Sequence, residues 1–167
     1  MPDGPVISNN TPLVALFALG RLDLLRDLYG EVLIPQAVHD EFIATEQARR
    51  QSALKRAPWI KVVSVVNSKR TLVYIGLDQG EAEVLALAEE QNARLVIIDE
   101  RKARRYAKRL GFPLTGTLGV LLLAKEKGII PALAPLIEEL QQAGLYLGIK
   151  LVKKVLELAG EDPLKSK

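Results

Sequence analysis

At 167 residues and 18.4 kDa, with 49% hydrophobic and 26% charged residues, the chain has the size and composition of an ordinary globular protein with a substantial core. A net charge of +3 with a pI near 9.2 gives no molecule-wide basic field, so any affinity for a polyanion has to come from local patches. The absence of Cys excludes disulfides and thiolate metal sites, and a single His excludes a multi-histidine zinc site, so a metal here would need oxygen ligands.

Val6-Ile7-Ser8 reads as a short first strand, followed by a helix start with Thr11 as N-cap and Pro12 at the first helical position. The apolar run Leu13 to Leu19 forms the helix and Gly20 closes it. Leu22, Leu25 and Leu28 carry a second short helix ended by Gly30. Val32-Leu33-Ile34 is a second buried strand, and Pro35 opens a helix bearing Val38, Glu41 and Phe42. Thr45 to Arg56 is polar and basic and reads as an exposed helix with Ala48, Ala53 and Leu54 as a weak apolar stripe.

The β-branched residues from Ile60 to Val65 predict a third strand, and Thr71 to Ile75 reads as either a short strand or an extended loop. Asp78 then starts an amphipathic helix running through Glu90, with Val84, Leu85, Leu87 and Ala88 inward. Arg94 to Ile98 is the fourth strand, and four consecutive apolar residues from Leu95 imply burial on both faces. A basic helix follows to Leu110, with Ala103, Tyr106, Ala107 and Leu110 inward, and Gly111 stops it. Pro113-Leu114-Thr115 is a short last strand.

Beyond it the chain reads as helical: Leu118 to Lys127, Pro131 to Ala143, and Leu151 to Leu158, with a frayed tail after Glu161. Alternating strands and helices imply an α/β three-layer fold with a mainly parallel sheet of about five strands. No linker divides the chain, so residues 1–167 read as one domain, with a core over about 5–130 and a helical extension over about 131–160. No apolar run approaches the roughly 20 residues of a membrane helix, and no leader is visible, so a cytoplasmic protein is expected.

Four side chains can converge at the strand ends, where open parallel sheets bind ligands. Asn9 follows the first strand, Asp99 the fourth, Glu41 lies in the helix after the second, and Glu81 in the first turn of the helix before the fourth. Clustered carboxylates raise one another's pKa, and Mg²⁺ or Mn²⁺ relieves that repulsion. Each residue also has a structural role available: Asp99 as a helix cap, Glu81 in a capping box with Asp78, Glu41 as a solvated helix residue, and Asn9 as a turn residue.

Six of the nine residues from Arg101 to Arg109 are Lys or Arg. They suit either a solvated helix face or a phosphate-binding arc beside Asp99, which Arg49, Arg50, Lys55 and Arg56 could extend.

Several segments together resemble PIN-domain proteins: Val6 to Leu13, Ile34-Pro35 through Val38 to Glu41, Gly80-Glu81-Ala82-Glu83, and Ile98-Asp99-Glu100. Gly20 to Leu25, Arg104 with Ala107 and Gly111, and Gly116 to Leu121 are similar to an uncharacterised prokaryotic subfamily related to the toxins of VapBC-type toxin–antitoxin pairs. The resemblance spans about residues 5 to 160.

The resemblance implies a Rossmann-like α/β/α sandwich and a ribonuclease dependent on Mg²⁺ or Mn²⁺. It implies Asn9, Glu41, Glu81 and Asp99 as metal-binding and catalytic positions and matches Arg104 and Thr117 to the subfamily; Arg104 with its basic neighbours Arg101 and Arg105, and Thr117, are then expected at the nucleic acid. RNA and a small antitoxin protein are the implied partners, and the apolar residues of the helices after Pro131 offer a surface for the antitoxin or for a second copy of the chain. Asn9 stands where the family has Asp, and Glu81 where it usually has Asp. Two other expectations remain: a PIN-fold module of low activity that binds RNA or a protein partner, and a small-molecule or phosphoacceptor domain.

Overall fold

The computed structural model describes residues 3–161. The tail expected to fray after Glu161 lies outside these. Nine α-helices and five strands are present among the described residues. In chain order they are β1 (Val6–Ser8), α1 (Asn10–Ala18), α2 (Asp23–Tyr29), β2 (Val32–Pro35), α3 (Gln36–Ile43), α4 (Gln47–Lys55), β3 (Ile60–Val63), α5 (Gln79–Gln91), β4 (Leu95–Ile97), α6 (Arg101–Arg109), β5 (Leu114–Thr115), α7 (Thr117–Glu126), α8 (Ala134–Gln142) and α9 (Ile149–Leu158). A 3-10 helix, Ser68–Val73, precedes α5.

The strands form one all-parallel sheet in the order β3-β2-β1-β4-β5. This is the expected α/β/α arrangement. The short strands are apolar on consecutive positions because helices cover the sheet: Val6, Ile7, Ile34, Val96 and Ile97 are fully buried. α5 packs against α3, α6, β1 and β2, while α7 packs against α1, α2 and α9. No helix among the described residues is long and apolar enough to cross a membrane.

Several local details differ from the sequence expectations. α1 begins at Asn10 with Asn9 in the N-cap position, ahead of the expected Thr11. Pro12 still sits in the first turn, where its missing N–H costs no intrahelical bond. The segment expected as strand or loop at Thr71 to Ile75 is largely the 3-10 helix, with Asn67 accepting a bond from the Lys69 amide. Leu110, expected on the inner face of α6, is 40% exposed because the helix ends at Arg109.

Candidate functional site

The strand order places β1 between β2 and β4, so the segments leaving β1 and β4 emerge side by side. The pairing runs one step past the strands: the Asn9 amide donates to the Ile97 carbonyl at 2.9 Å, and the Ile98 amide to Thr115 at 2.8 Å. Asn9 and Asp99 therefore occupy neighbouring positions at the same sheet edge. The Asn9 side chain makes no cap bond, and the residue is only 5% exposed. Beside it, Asn10 Oδ1 is buried without a hydrogen-bond partner. Buried amide oxygens seldom go unpaired, and such an orphan marks a place where a donor or a cation is missing.

Asp99 does not cap α6. Glu100 does, its Oε2 accepting the Ala103 amide at 2.7 Å. Both Asp99 oxygens are instead held by Thr117, whose amide donates to Oδ1 at 2.8 Å and whose hydroxyl donates to Oδ2 at 2.6 Å. Gly116 makes this approach possible, since a Cβ there would collide with Asp99 Oδ1. The Arg104 guanidinium donates to the Ile98 carbonyl at 2.8 Å and lies beside the same glycine. Asp99 is thus oriented by the start of α7, leaving spare acceptor capacity on both oxygens.

Glu41 and Glu81 approach from α3 and α5. Asp78 and Glu81 form a full capping box: Glu81 N–H donates to Asp78 Oδ1 at 2.8 Å, and Asp78 N–H to Glu81 Oε1 at 3.0 Å. The structural role foreseen for Glu81 is therefore present, and it occupies one of the two carboxylate oxygens. Burial pushes the Glu81 pKa up; the Asp78 amide opposes this, and the charges of Asp78, Glu100 and Glu41 add to the rise. The Glu41 pKa is also raised, by burial first and by Asp78 second, with the Asn10 side chain opposing. The two glutamates therefore share a field in which negative charge is disfavoured, the condition a divalent cation relieves.

The donor set suits Mg²⁺ or Mn²⁺ in kind: carboxylate and amide oxygens, one of the amides orphaned. In number it is sparse. Among the described residues, no three acidic or histidine side chains converge closely enough to hold one ion. Asp99 with Thr117 forms one side of the site, Glu41 with Glu81 and Asp78 the other, and Asn9 directly follows the central strand. Water would have to complete the coordination of an ion between them.

Of the basic residues, Arg101 and Arg105 are exposed on α6. Arg104 is partly buried against the Ile98 carbonyl, and Thr117 is 3% exposed, its hydroxyl committed to Asp99. Arg50, expected in a second basic group, is instead buried, donating to the Phe42 carbonyl at 2.9 Å between the rings of Phe17 and Phe42. A cavity of about 640 Å³ opens elsewhere, between Gly4, Arg94 and Phe112, and none of the four predicted ligands lines it.

Asn10 and Gly116 were not singled out from the sequence as site residues. The Asn9-Asn10 doublet at a strand end is the local signal for the first; the second depends on a contact with Asp99 that spacing cannot show.

The model of a protein family described as PIN domain matches residues 5–161. No curated protein matches the chain.

Proposed function

The chain belongs to the PIN-domain family, and from that premise we propose that it is a metal-dependent endoribonuclease. PIN domains in general are of nuclease type, bind nucleic acids and use divalent metal ions. The finer reading assigns Asn9, Glu41, Glu81 and Asp99 to the cation and the reaction and Arg101 and Arg105 to the nucleic-acid side, where Arg104 and Thr117 act by holding α6 and Asp99 in place. The observation that carries it is the Asp99 carboxylate, clamped by Thr117 at the strand end next to the buried Asn9, whose side chain caps no helix amide.

Asn9, Glu41, Glu81 and Asp99 would hold Mg²⁺ or Mn²⁺, which when bound would activate water and offset charge developing on a phosphate oxygen. The residues themselves divide the work. Thr117 fixes the direction of Asp99, and the capping box fixes Glu81 at the head of α5. Arg101 and Arg105, exposed in the helix that starts just after Asp99, attract the RNA backbone. Arg104 anchors that helix to the end of β4 through the Ile98 carbonyl.

Mn²⁺-dependent cleavage of single-stranded RNA, abolished by Asp99→Asn, is the expected result. A purified protein inert on a panel of RNAs with either ion overturns the enzyme reading. A cytoplasmic toxin countered by a small antitoxin is the biological setting the resemblance supports, and a neighbouring antitoxin-like reading frame is the observation that tests it.

The second reading is a PIN-fold module of low activity. It is favoured by Asn9 in place of an acid and by the lack of a convergent acidic triad among the described residues. The exposed Tyr146, Ile149 and Leu151 at the C-terminal helices support a protein contact in that case, with an antitoxin or a second copy of the chain.

A further inference from the structure

We infer that Glu83 is a positioning residue, which sets the separation of Glu41 and Glu81 by capping α3 from α5. α3 needs an outside cap: its N-cap position is Pro35, which has no side chain able to accept a bond from the first-turn amides. Glu83 supplies the acceptor across the fold. Its Oε1 takes the Ala37 amide at 3.0 Å, and its Oε2 takes the Gln79 side-chain amide at 2.8 Å, which fixes the carboxylate's rotation.

The contact ties the first turn of the helix carrying Glu41 to the second turn of the helix carrying Glu81. At this crossing the two helices nearly touch. A Cβ on Gly80 would stand 3.0 Å from Glu41 Oε1 and 3.6 Å from Val38 Cγ2. Gly80 and Glu83 flank Glu81 with complementary duties: one leaves room for Glu41 to approach, the other holds α3 at that approach. Without the Glu83 bond, the Ala37 amide is a partly buried donor with no acceptor, and α3 gains by shifting toward water. That shift carries Glu41 away from Glu81.

The inference rests on the reading of Glu41 and Glu81 as cation ligands, and two measurements keep the two claims apart. The first is the through-space NMR contact between a Val38 methyl and Gly80 Hα, recorded without metal. It is expected to persist in the wild type and in Glu83→Gln, whose amide oxygen still accepts from Ala37, and to be lost in Glu83→Ala. The second is Mn²⁺ affinity by calorimetry, expected to fall about tenfold in Glu83→Ala and to stay within about threefold in Glu83→Gln.

Gly80→Ala gives a further arm. Alanine favours the helix, so its melting temperature does not fall, while its methyl displaces Glu41 and weakens Mn²⁺ binding. Persistence of the Val38–Gly80 contact in Glu83→Ala overturns the inference. So does an equal loss of Mn²⁺ affinity in both Glu83 variants, which assigns the effect to charge alone. If the wild type binds no Mn²⁺, the functional proposal fails, and the Val38–Gly80 contact by itself decides whether Glu83 places α3.

Discussion

Thr117 binds both oxygens of Asp99, one through its main chain and one through its hydroxyl, so the acid at the end of β4 is aimed by the first residue of α7. The two bonds can be separated by mutation. Thr117→Val keeps the shape and the amide bond but removes the hydroxyl. RNA cleavage in Mn²⁺ is expected to fall about 10- to 100-fold, the usual cost of losing a group that orients a metal ligand. Stability is expected to fall by about 1–3 kcal/mol, measured by urea unfolding, because a partly buried hydrogen bond to a carboxylate is lost. Thr117→Ser, which restores the hydroxyl, should recover most of the activity.

Asn9→Asp places a carboxylate in a position only 5% exposed. Without metal, the buried charge is costly, and the melting temperature is expected to drop relative to the wild type. Mn²⁺ should reverse the order, since ligand binding at 100 times its dissociation constant stabilises by about 2.7 kcal/mol. Thermal-shift curves with and without Mn²⁺ test both halves. New or faster RNA cleavage in this variant would mark the natural protein as attenuated, and an unchanged Mn²⁺ response would remove Asn9 from the ligand set.

Arg105 and Arg104 are neighbours in sequence with different surroundings, and their variants should behave differently. Arg105 is exposed, so Arg105→Ala is expected to weaken RNA binding and reduce the dependence of log affinity on log salt by about one, with little change in folding. Arg104 is bonded to the Ile98 carbonyl, so Arg104→Ala is expected to lower stability as well. Fluorescence anisotropy across a salt series, paired with melting curves, separates the two effects.

The end of α9 offers a pH test remote from the candidate site. Glu161 accepts the Lys125 ammonium at 2.8 Å and the amides of Leu133 and Ala134 at 2.8 and 3.0 Å. Burial opposes its ionisation, but the Leu133 amide, the Lys125 ammonium and the Ala134 amide outweigh it and hold its pKa below the ordinary 4.5. A carboxylate with a lowered folded pKa stabilises the protein above its unfolded pKa, and that stabilisation is lost as pH falls through the folded value. Glu161→Gln is therefore expected to be less stable than the wild type near neutrality. Urea unfolding curves for the two should converge as the pH drops below about 4.5.

Local chemistry made much of the architecture readable. Helices α2, α6 and α7 end where Gly30, Gly111 and Gly128 predict, and the buried strands appear as short runs of consecutive apolar residues. The Asp78–Glu81 capping box was visible because both partners lie within one helical turn. What stayed hidden was set by contacts distant in sequence. Nothing near Asp99 announces Thr117, and nothing near Ala37 announces Glu83. The choice between Asp99 and Glu100 as the cap of α6 also turned on Thr117, since an acid already engaged by α7 leaves the cap to its neighbour. The burial of Arg50 is hidden for a related reason: the sequence shows its charge, but only the packing shows the two phenylalanine rings around it.

The central position of β1 has a consequence for how the molecule comes into being. Val6 pairs with Val32 on one side and with Leu95 on the other, so the first strand made is completed only by one made much later. Pairings so far apart in sequence close large loops and slow folding. As the chain leaves the ribosome, Asn9, Glu41 and Glu81 are synthesised before β4 exists, and Thr117 comes last of all. A chain that stops short of Thr117 therefore lacks part of the constellation, and the group can come together only after β4, β5 and the start of α7 have been made.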